Sequence, residues 1–259
     1  MTTAAKQRCN DALDLWRSRF LSDGLPSPVL RERTALVDEL VQQAYGDVLA
    51  PAFAEGGLAL LAVGGYGRRE LFPNSDIDLL LLVRRNPQDT QPREALSEFL
   101  RLLWDTGLRV SHSVRTSEEC CQVIDGNLEL TISLLDERIL AGDRGLYTQW
   151  RDRFARFLRA ERRELTRRLC RLTRSRHLRF HDTIYRLEPD VKEAPGGLRD
   201  LQAVRWLRAL RELPLDPSDD DPRPREFLFA ARCFLHFRAN RDQNLLNFEA
   251  QDEIASALF

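Results

Sequence analysis

The sequence predicts an α/β fold of the α+β kind, a small mixed-sheet core preceded by helices and followed by a helical lobe. Three observations carry that expectation. Two short apolar runs, Leu58 to Val63 and Ile77 to Val83, flank a Gly64-Gly65 turn and read as buried strands. Leu108 to Val114 alternates as a third strand, with Leu108, Val110, His112 and Val114 on one face. The segments before Leu49 and after Arg144 instead repeat apolar residues at three- and four-residue steps, the helical period.

Taken in order, segments 4–20 and 28–49 are expected helices. The second carries Val29, Leu30, Leu36, Val37, Leu40, Val41 and Ala44 as its apolar stripe, and Gly24, Pro26 and Pro28 punctuate the gap. Strand 58–63, a helix opening near Gly65 and strand 77–83 follow. Arg93 to Asp105 reads as a helix, after a loop flanked by Pro87 and Pro92 and before a stop at Gly107. Ser117, with Glu118 and Glu119 in the first turn, is expected to open a helix to 125. A helix over 127–135 and a short strand around 137–140 come next. One long arginine-rich helix is expected from Arg144 to about His181, striped by Leu158, Leu165, Leu169, Leu172 and Leu178. Helices 199–213 and 225–247 complete the lobe, joined by an acidic, proline-rich linker (214–226) expected to be mobile. These elements divide the chain into an N-terminal helical segment (1–57), a sheet core (58–142) and a helical lobe (143–259).

A length of 259 residues allows one large or two modest domains with a real core, and 43% hydrophobic with 31% charged residues suits a soluble globular protein. No apolar run approaches the length of a membrane span and the N-terminus lacks a signal-peptide layout, so a cytoplasmic protein without a membrane partner is expected. Five cysteines (Cys9, Cys120, Cys121, Cys170, Cys233), odd in number and without C-x-x-C spacing, argue against a zinc site or disulfide framework. A formal net charge of -1 argues against nucleic acid as a partner. Twelve arginines do face only Asp152, Glu161 and Glu164 between Arg151 and Arg179. That stretch reads as a solvated basic helix face, or as a surface attracting an anion.

The chemistry concentrates in LALLAVGGYGRRELFPNSDIDLLLLV, residues 58–83. Asp76 and Asp78 are two apart on a strand and so project to one side. Two carboxylates at the mouth of an apolar strand are costly unless a cation sits between them. A divalent metal, Mg²⁺ or Mn²⁺, holding a nucleoside triphosphate meets that need. Gly64, Gly65 and Gly67 share one tight turn, in which Gly64 and Gly65 let backbone N–H groups face the β- and γ-phosphates. Ser75 can donate to a phosphate oxygen, and Arg68 or Arg69 can add positive charge. A second unusual stretch, YRLEPDVKEAPGGLRDLQ (185–202), gathers charges around Pro195-Gly196-Gly197 just before a helix. It reads either as an anion site at a helix N-terminus or as a charged interlobe loop.

The first stretch resembles the nucleotidyltransferase superfamily that includes the beta-type polymerases, whose signature is a Gly-Gly or Gly-Ser pair followed by Asp-x-Asp. Joined by LLWDTGLRVSHSVRTSEEC and LEPDVKEAPGGLRDLQ in that order, it makes the chain similar, from about Leu58 onward, to the bifunctional uridylyltransferase/uridylyl-removing enzymes of bacterial nitrogen signalling. The resemblance implies transfer of UMP from UTP to a tyrosine of the PII signal protein, releasing pyrophosphate, with Mg²⁺ or Mn²⁺ on Asp76 and Asp78. It also implies an HD hydrolase and glutamine-sensing ACT domains, which this chain does not display. His181-Asp182 is a lone doublet and reads as a helix-end pair. The chain is therefore expected to be a fragment without UMP removal or glutamine sensing.

Most members of the superfamily use a third carboxylate on a later strand, whereas strand 108–114 offers His112 and Ser113 but no acid. Glu188, Asp190 and Asp200 are further candidates, or two carboxylates suffice. No residue visibly reads uracil, so UTP rests on the resemblance. The competing readings are a nucleotidyltransferase with another acceptor, and a catalytically silent fragment that only binds nucleotide or PII.

Overall fold

The computed structural model describes residues 2–86, 89–123, 128–213 and 222–258. Among these, four strands form one sheet: β1 (Leu58–Ala62), β2 (Ile77–Val83), β3 (Val110–Thr116) and β4 (Arg138–Gly142), in the order β3-β2-β1-β4. The helices are α1 (Thr2–Asp23), α2 (Pro26–Ala44), α3 (Ala50–Ala52), α4 (Gly64–Gly67), α5 (Thr90–Asp105), α6 (Ser117–Cys120), α7 (Leu128–Ser133), α8 (Arg144–Ala160), α9 (Arg162–Arg179), α10 (Leu198–Arg211), α11 (Pro222–Ala239) and α12 (Phe248–Leu258). A π turn, Tyr45–Leu49, joins α2 to α3. The fold is the expected mixed α/β arrangement, and no described helix is long and apolar enough to cross a membrane.

The chain forms two compact units, each discontinuous in sequence, rather than consecutive blocks. The first comprises 1–14, 31–71 and 75–160 and contains the sheet. β1 pairs antiparallel with β2 and with β4, while β2 and β3 run parallel, which requires a crossover; α5 supplies it. All of β1 and nearly all of β2 are buried on both faces, which explains their uninterrupted apolar sequence. One face (Leu58, Leu60, Ala62, Ile77, Leu79, Leu81, Val83) packs on Val37 and Val41 of α2 and on Phe99 and Leu103 of α5. The other face (Ala59, Leu61, Leu80, Leu82) packs on Leu146, Trp150 and Phe154 of α8. Each such leucine stabilises the sandwich by about 1.5–3 kcal/mol relative to exposure. Arg138 of β4 donates to both carboxylate oxygens of Asp38 at 2.9 Å, tying α2 to the sheet.

The second unit comprises 15–30, 72–74 and 161–259. Leu165 and Leu169 of α9 and Leu198, Ala203, Trp206 and Leu210 of α10 are buried in it. Every residue from Phe229 to Phe237 of α11 is buried, so this helix is enclosed all round. Phe72 meets Phe229 edge to face at 5.2 Å. Among these apolar groups lies a polar knot. Arg232 stacks over the Phe72 ring at 4.1 Å and its Nε donates to Asn244 Oδ1 at 2.7 Å. The Asn74 N–H donates to His236 Nδ1 at 3.1 Å. That bond puts the ring proton on Nε2, which stands 3.0 Å from Asp242 Oδ1.

Four helical expectations need correction. The Arg144–His181 helix is two helices, broken at Glu161 where the first unit ends. The helix expected to begin at Ser117 is capped one residue earlier, by a Thr116–Glu119 capping box, and α6 ends at Cys120. The helix expected over 225–247 stops at Ala239, because Asn240 turns left-handed with φ 48°. The helix expected to 49 changes at Tyr45 to the π turn. Residues 124–127 of the 117–125 and 127–135 expectations, and 214–221 of the linker, lie outside the described residues.

Candidate active site

The antiparallel pairing of β1 with β2 brings the end of one strand beside the start of the other, so the glycine turn and the Asp-x-Asp motif meet. The pairing extends past Ala62↔Leu79 by a bond from the Val63 N–H to the Asp78 carbonyl, 3.1 Å. Gly64 follows with φ +57°, and a Cβ there would come 3.6 Å from Asp78 Oδ2. The space beside the Asp78 carboxylate is therefore kept by a residue without a side chain. Gly64 opens the single turn of α4, whose first amides have no intrahelical acceptor by geometry.

The three glycines do different work. Gly65 would admit a Cβ, whose nearest neighbours would be the Glu70 carbonyl at 3.7 Å and Arg68 Nη2 at 3.8 Å. Gly67 would not, because a Cβ would overlap the carbonyl of Asp136. Tyr66, fully buried in the core, anchors the turn between them.

Asp78 is half-buried on the sheet face that carries Leu80 and Leu82. Asp76 stands one residue ahead of β2, 53% exposed, and its Oδ1 accepts from Arg109 Nε at 2.8 Å. Ser75 is held by α2: Arg33 Nη1 donates to its Oγ at 3.1 Å and Arg33 Nη2 to its carbonyl at 2.9 Å. Arg33 is itself buried. It fixes the backbone entering Asp76.

Arg68, read from sequence as a phosphate contact, is a brace. Its Nε donates to Glu70 at 2.7 Å and its Nη1 to Asp136 at 2.6 Å, with the side chain 5% exposed. Burial works against its charge, but the two carboxylates outweigh this and hold its pKa above the ordinary value. Arg69 is exposed, with a left-handed backbone.

His112 does not join the carboxylates. β3 pairs Asp78 with Ser111 and Leu79 with His112, so His112 lies on the opposite face, where it meets Trp104 edge to face at 6.5 Å. Ser111 and Ser113 share the face of Asp78. The acids of the 185–202 stretch are engaged in the second unit. Asp190 Oδ1 accepts from the N–H groups of Lys192 and Glu193 at 2.9 and 2.7 Å. Glu188 accepts from the Phe248 N–H at 3.0 Å. Asp200 accepts from Arg176, His177 and the Gly196 N–H.

The anion site read at Gly196-Gly197 is filled by the chain's own backbone. Leu198, Arg199 and Asp200 donate their N–H groups to the carbonyls of Val191, Lys192 and Gly197. The arginine-rich stretch is largely paired internally, Arg151 with Glu137, Arg153 with Glu118, Arg162 with Glu212, and Arg167, Arg168 and Arg171 with Glu164.

Among the described residues no group of three or more His, Cys, Asp or Glu side chains is placed to hold a metal. Asp76 and Asp78 still fit an oxygen-preferring divalent cation. Asp76 already holds a cation, the Arg109 guanidinium, and the glycine at 64 leaves room beside Asp78. The remaining ligands would then come from water and phosphate.

The family model of the GlnD PII-uridylyltransferase matches residues 156–216, which lie outside the glycine turn and the Asp-x-Asp motif. Curated relatives extend the similarity over nearly all of the chain. A bifunctional uridylyltransferase/uridylyl-removing enzyme of Pseudomonas putida (strain W619) is 38% identical over 98% of this chain and 29% of its own length. Proteins of the same name from Aromatoleum aromaticum and Methylococcus capsulatus are 36% and 35% identical, over 98% and 92% of this chain and 30% and 28% of their own. The chain thus spans about three tenths of the length of the curated relatives it matches.

Proposed function

The chain belongs to the GlnD PII-uridylyltransferase family, and from that premise we propose that it transfers UMP from UTP to a tyrosine hydroxyl of the PII protein, releasing pyrophosphate. The observation that carries this reading is the meeting of Gly64 with the Asp78 carboxylate at one end of the sheet, beside Asp76. Asp76 and Asp78 would hold Mg²⁺ or Mn²⁺, which would supply positive charge against the negative charge that builds up in the transition state.

The chain's own residues perform the rest. Backbone N–H groups at Gly64 and Gly65 face the triphosphate, and the absence of side chains there permits the approach. Arg33 donates to the hydroxyl and the carbonyl of Ser75 and so holds it at the entry to Asp76, where the hydroxyl would serve as a donor to a phosphate oxygen. The brace of Arg68 with Glu70 and Asp136, together with buried Tyr66, keeps the turn rigid, so little order is lost when nucleotide binds. The UMP-removing activity named for the relatives is not assigned to these residues. A cytoplasmic setting belongs to the same proposal, and five thiols without a disulfide suit it.

The test is the intact mass of PII after incubation with the chain, Mg²⁺ or Mn²⁺, and UTP, with ATP and CTP in parallel. A gain of one UMP per PII subunit, lost in Asp78→Asn, is the expected result. No gain with any nucleotide, together with no metal-dependent binding of UTP, would overturn the reading.

A further inference from the structure

The Arg109–Asp76 contact is built into the sheet rather than made by chance on its surface. The Ile77 N–H donates to the Arg109 carbonyl at 2.9 Å, which carries the β2–β3 ladder one step beyond the Ile77↔Val110 pair. Residues 76 and 109 are therefore held opposite each other by backbone, and the guanidinium Nε reaches Asp76 Oδ1 at 2.8 Å. In the same register Asp78 opposes Ser111, a neutral residue. The cation supplied by β3 thus meets the outer carboxylate of the pair.

We propose that Arg109 stands in for a metal on Asp76 and becomes a phosphate clamp when nucleotide arrives. This rests on the reading of Asp76 and Asp78 as metal ligands. The guanidinium cancels one of the two negative charges that would attract a free divalent ion. Two carboxylates, with no third His, Cys, Asp or Glu grouped with them among the described residues, already give such an ion few partners. Free metal must displace Arg109 from Asp76 and brings it no anion in exchange. A metal complexed to a triphosphate brings oxygen ligands of its own and gives the displaced guanidinium phosphate oxygens that match its fork. Half exposure on both sides of the pair makes it weak enough to exchange. The site therefore discriminates against free metal in favour of metal–nucleotide.

The electron paramagnetic resonance signal of unbound Mn²⁺ tests this without reference to activity, using the 259-residue chain with Mn²⁺ alone, with UTP, and with tripolyphosphate as a base-free probe. In Arg109→Gln, Mn²⁺ alone should bind about three- to tenfold more tightly than in wild type, while Mn²⁺–UTP and Mn²⁺–tripolyphosphate bind about tenfold more weakly. Arg109→Lys, which keeps the charge but lacks the fork, should retain wild-type weakness toward Mn²⁺ alone and lose part of the triphosphate affinity. Either affinity of Arg109→Gln remaining within about twofold of wild type overturns the proposal. Asp78→Asn separates this from failure of the underlying reading. If it loses Mn²⁺–UTP while Arg109→Gln changes nothing, only the role of Arg109 falls; if it binds Mn²⁺–UTP as wild type does, the metal site itself falls.

Discussion

At the scale of single residues, neighbouring glycines in one turn serve opposite ends, and substitution separates them. A side chain at Gly67 must displace the Asp136 carbonyl, so Gly67→Ala should cost stability of the order of overpacking, about 1–3 kcal/mol, seen as a lower urea midpoint. Gly65 has room for a Cβ within the fold, so Gly65→Ala should keep the wild-type urea midpoint. It should weaken UTP binding by crowding the phosphates, and unchanged affinity would mean that this turn does not face the nucleotide. If Asp76 and Asp78 hold the metal as proposed, Asp76→Asn and Asp78→Asn should each slow transfer by at least about a hundredfold, a loss of several kcal/mol of transition-state stabilisation. Neither should unfold the chain, because the Asp76–Arg109 pair is half-exposed and worth little to stability, and Asp78 is only half-buried. Near-wild-type transfer by both variants would remove the metal assignment.

Between elements, the glycine turn and the segment around Asp136 are joined by one buried cation shared by two carboxylates, and this brace decides where the turn sits. Arg68→Ala removes the guanidinium shared by Asp136, 2% exposed, and Glu70, which should cost about 3–5 kcal/mol in urea unfolding. A loss below about 1 kcal/mol would place the brace among the weak surface pairs. The sequence could not distinguish this role from phosphate binding, because Glu70 is two residues away but Asp136 is brought in only by folding. The strands were legible for the opposite reason. Burial on both faces requires continuous apolar residues, and Leu58 to Ala62 and Leu79 to Val83 have them. The Gly64–Asp78 meeting was legible as a motif but not as a contact. Arg109 lay inside a recognised stretch, yet its role depends on the parallel register of β2 with β3, which a crossover sets and local spacing does not. Arg33 reaches Ser75 from α2, 42 residues earlier in the sequence, and leaves no local signal. The Pro195-Gly196-Gly197 turn looked like an anion site because its glycines precede a helix. Gly197 instead serves close backbone packing, where a Cβ would come 2.9 Å from the Val191 and Ala194 carbonyls.

Across the whole molecule, 39 basic residues against 40 acidic ones leave little net field, and each compact unit keeps a buried charge network of its own. In the second unit burial alone would raise the Asp242 pKa. The hydrogen bond from His236 and the charge of Arg232 outweigh it and hold the carboxyl well below its usual 3.8. A group whose folded pKa is depressed adds stability that is fully present above the unfolded value and is lost as pH falls toward the folded one. The Asp242 contribution should thus be complete above about pH 5 and decline progressively below about pH 4. Asp242→Asn should be less stable than wild type at neutral pH, because His236 and Arg232 lose their anion. The gap in unfolding free energy between the two proteins should narrow steadily as urea titrations move below pH 4. Other depressed carboxylates, Glu119, Asp143 and Asp200 among them, also weaken the fold in acid but do so equally in both proteins, so the difference isolates Asp242. A gap that stays constant from neutral pH into that acid range would mean that the Asp242 carboxylate carries no net charge-dependent stability, and that Arg232 is held by Asn244 and the Phe72 ring alone.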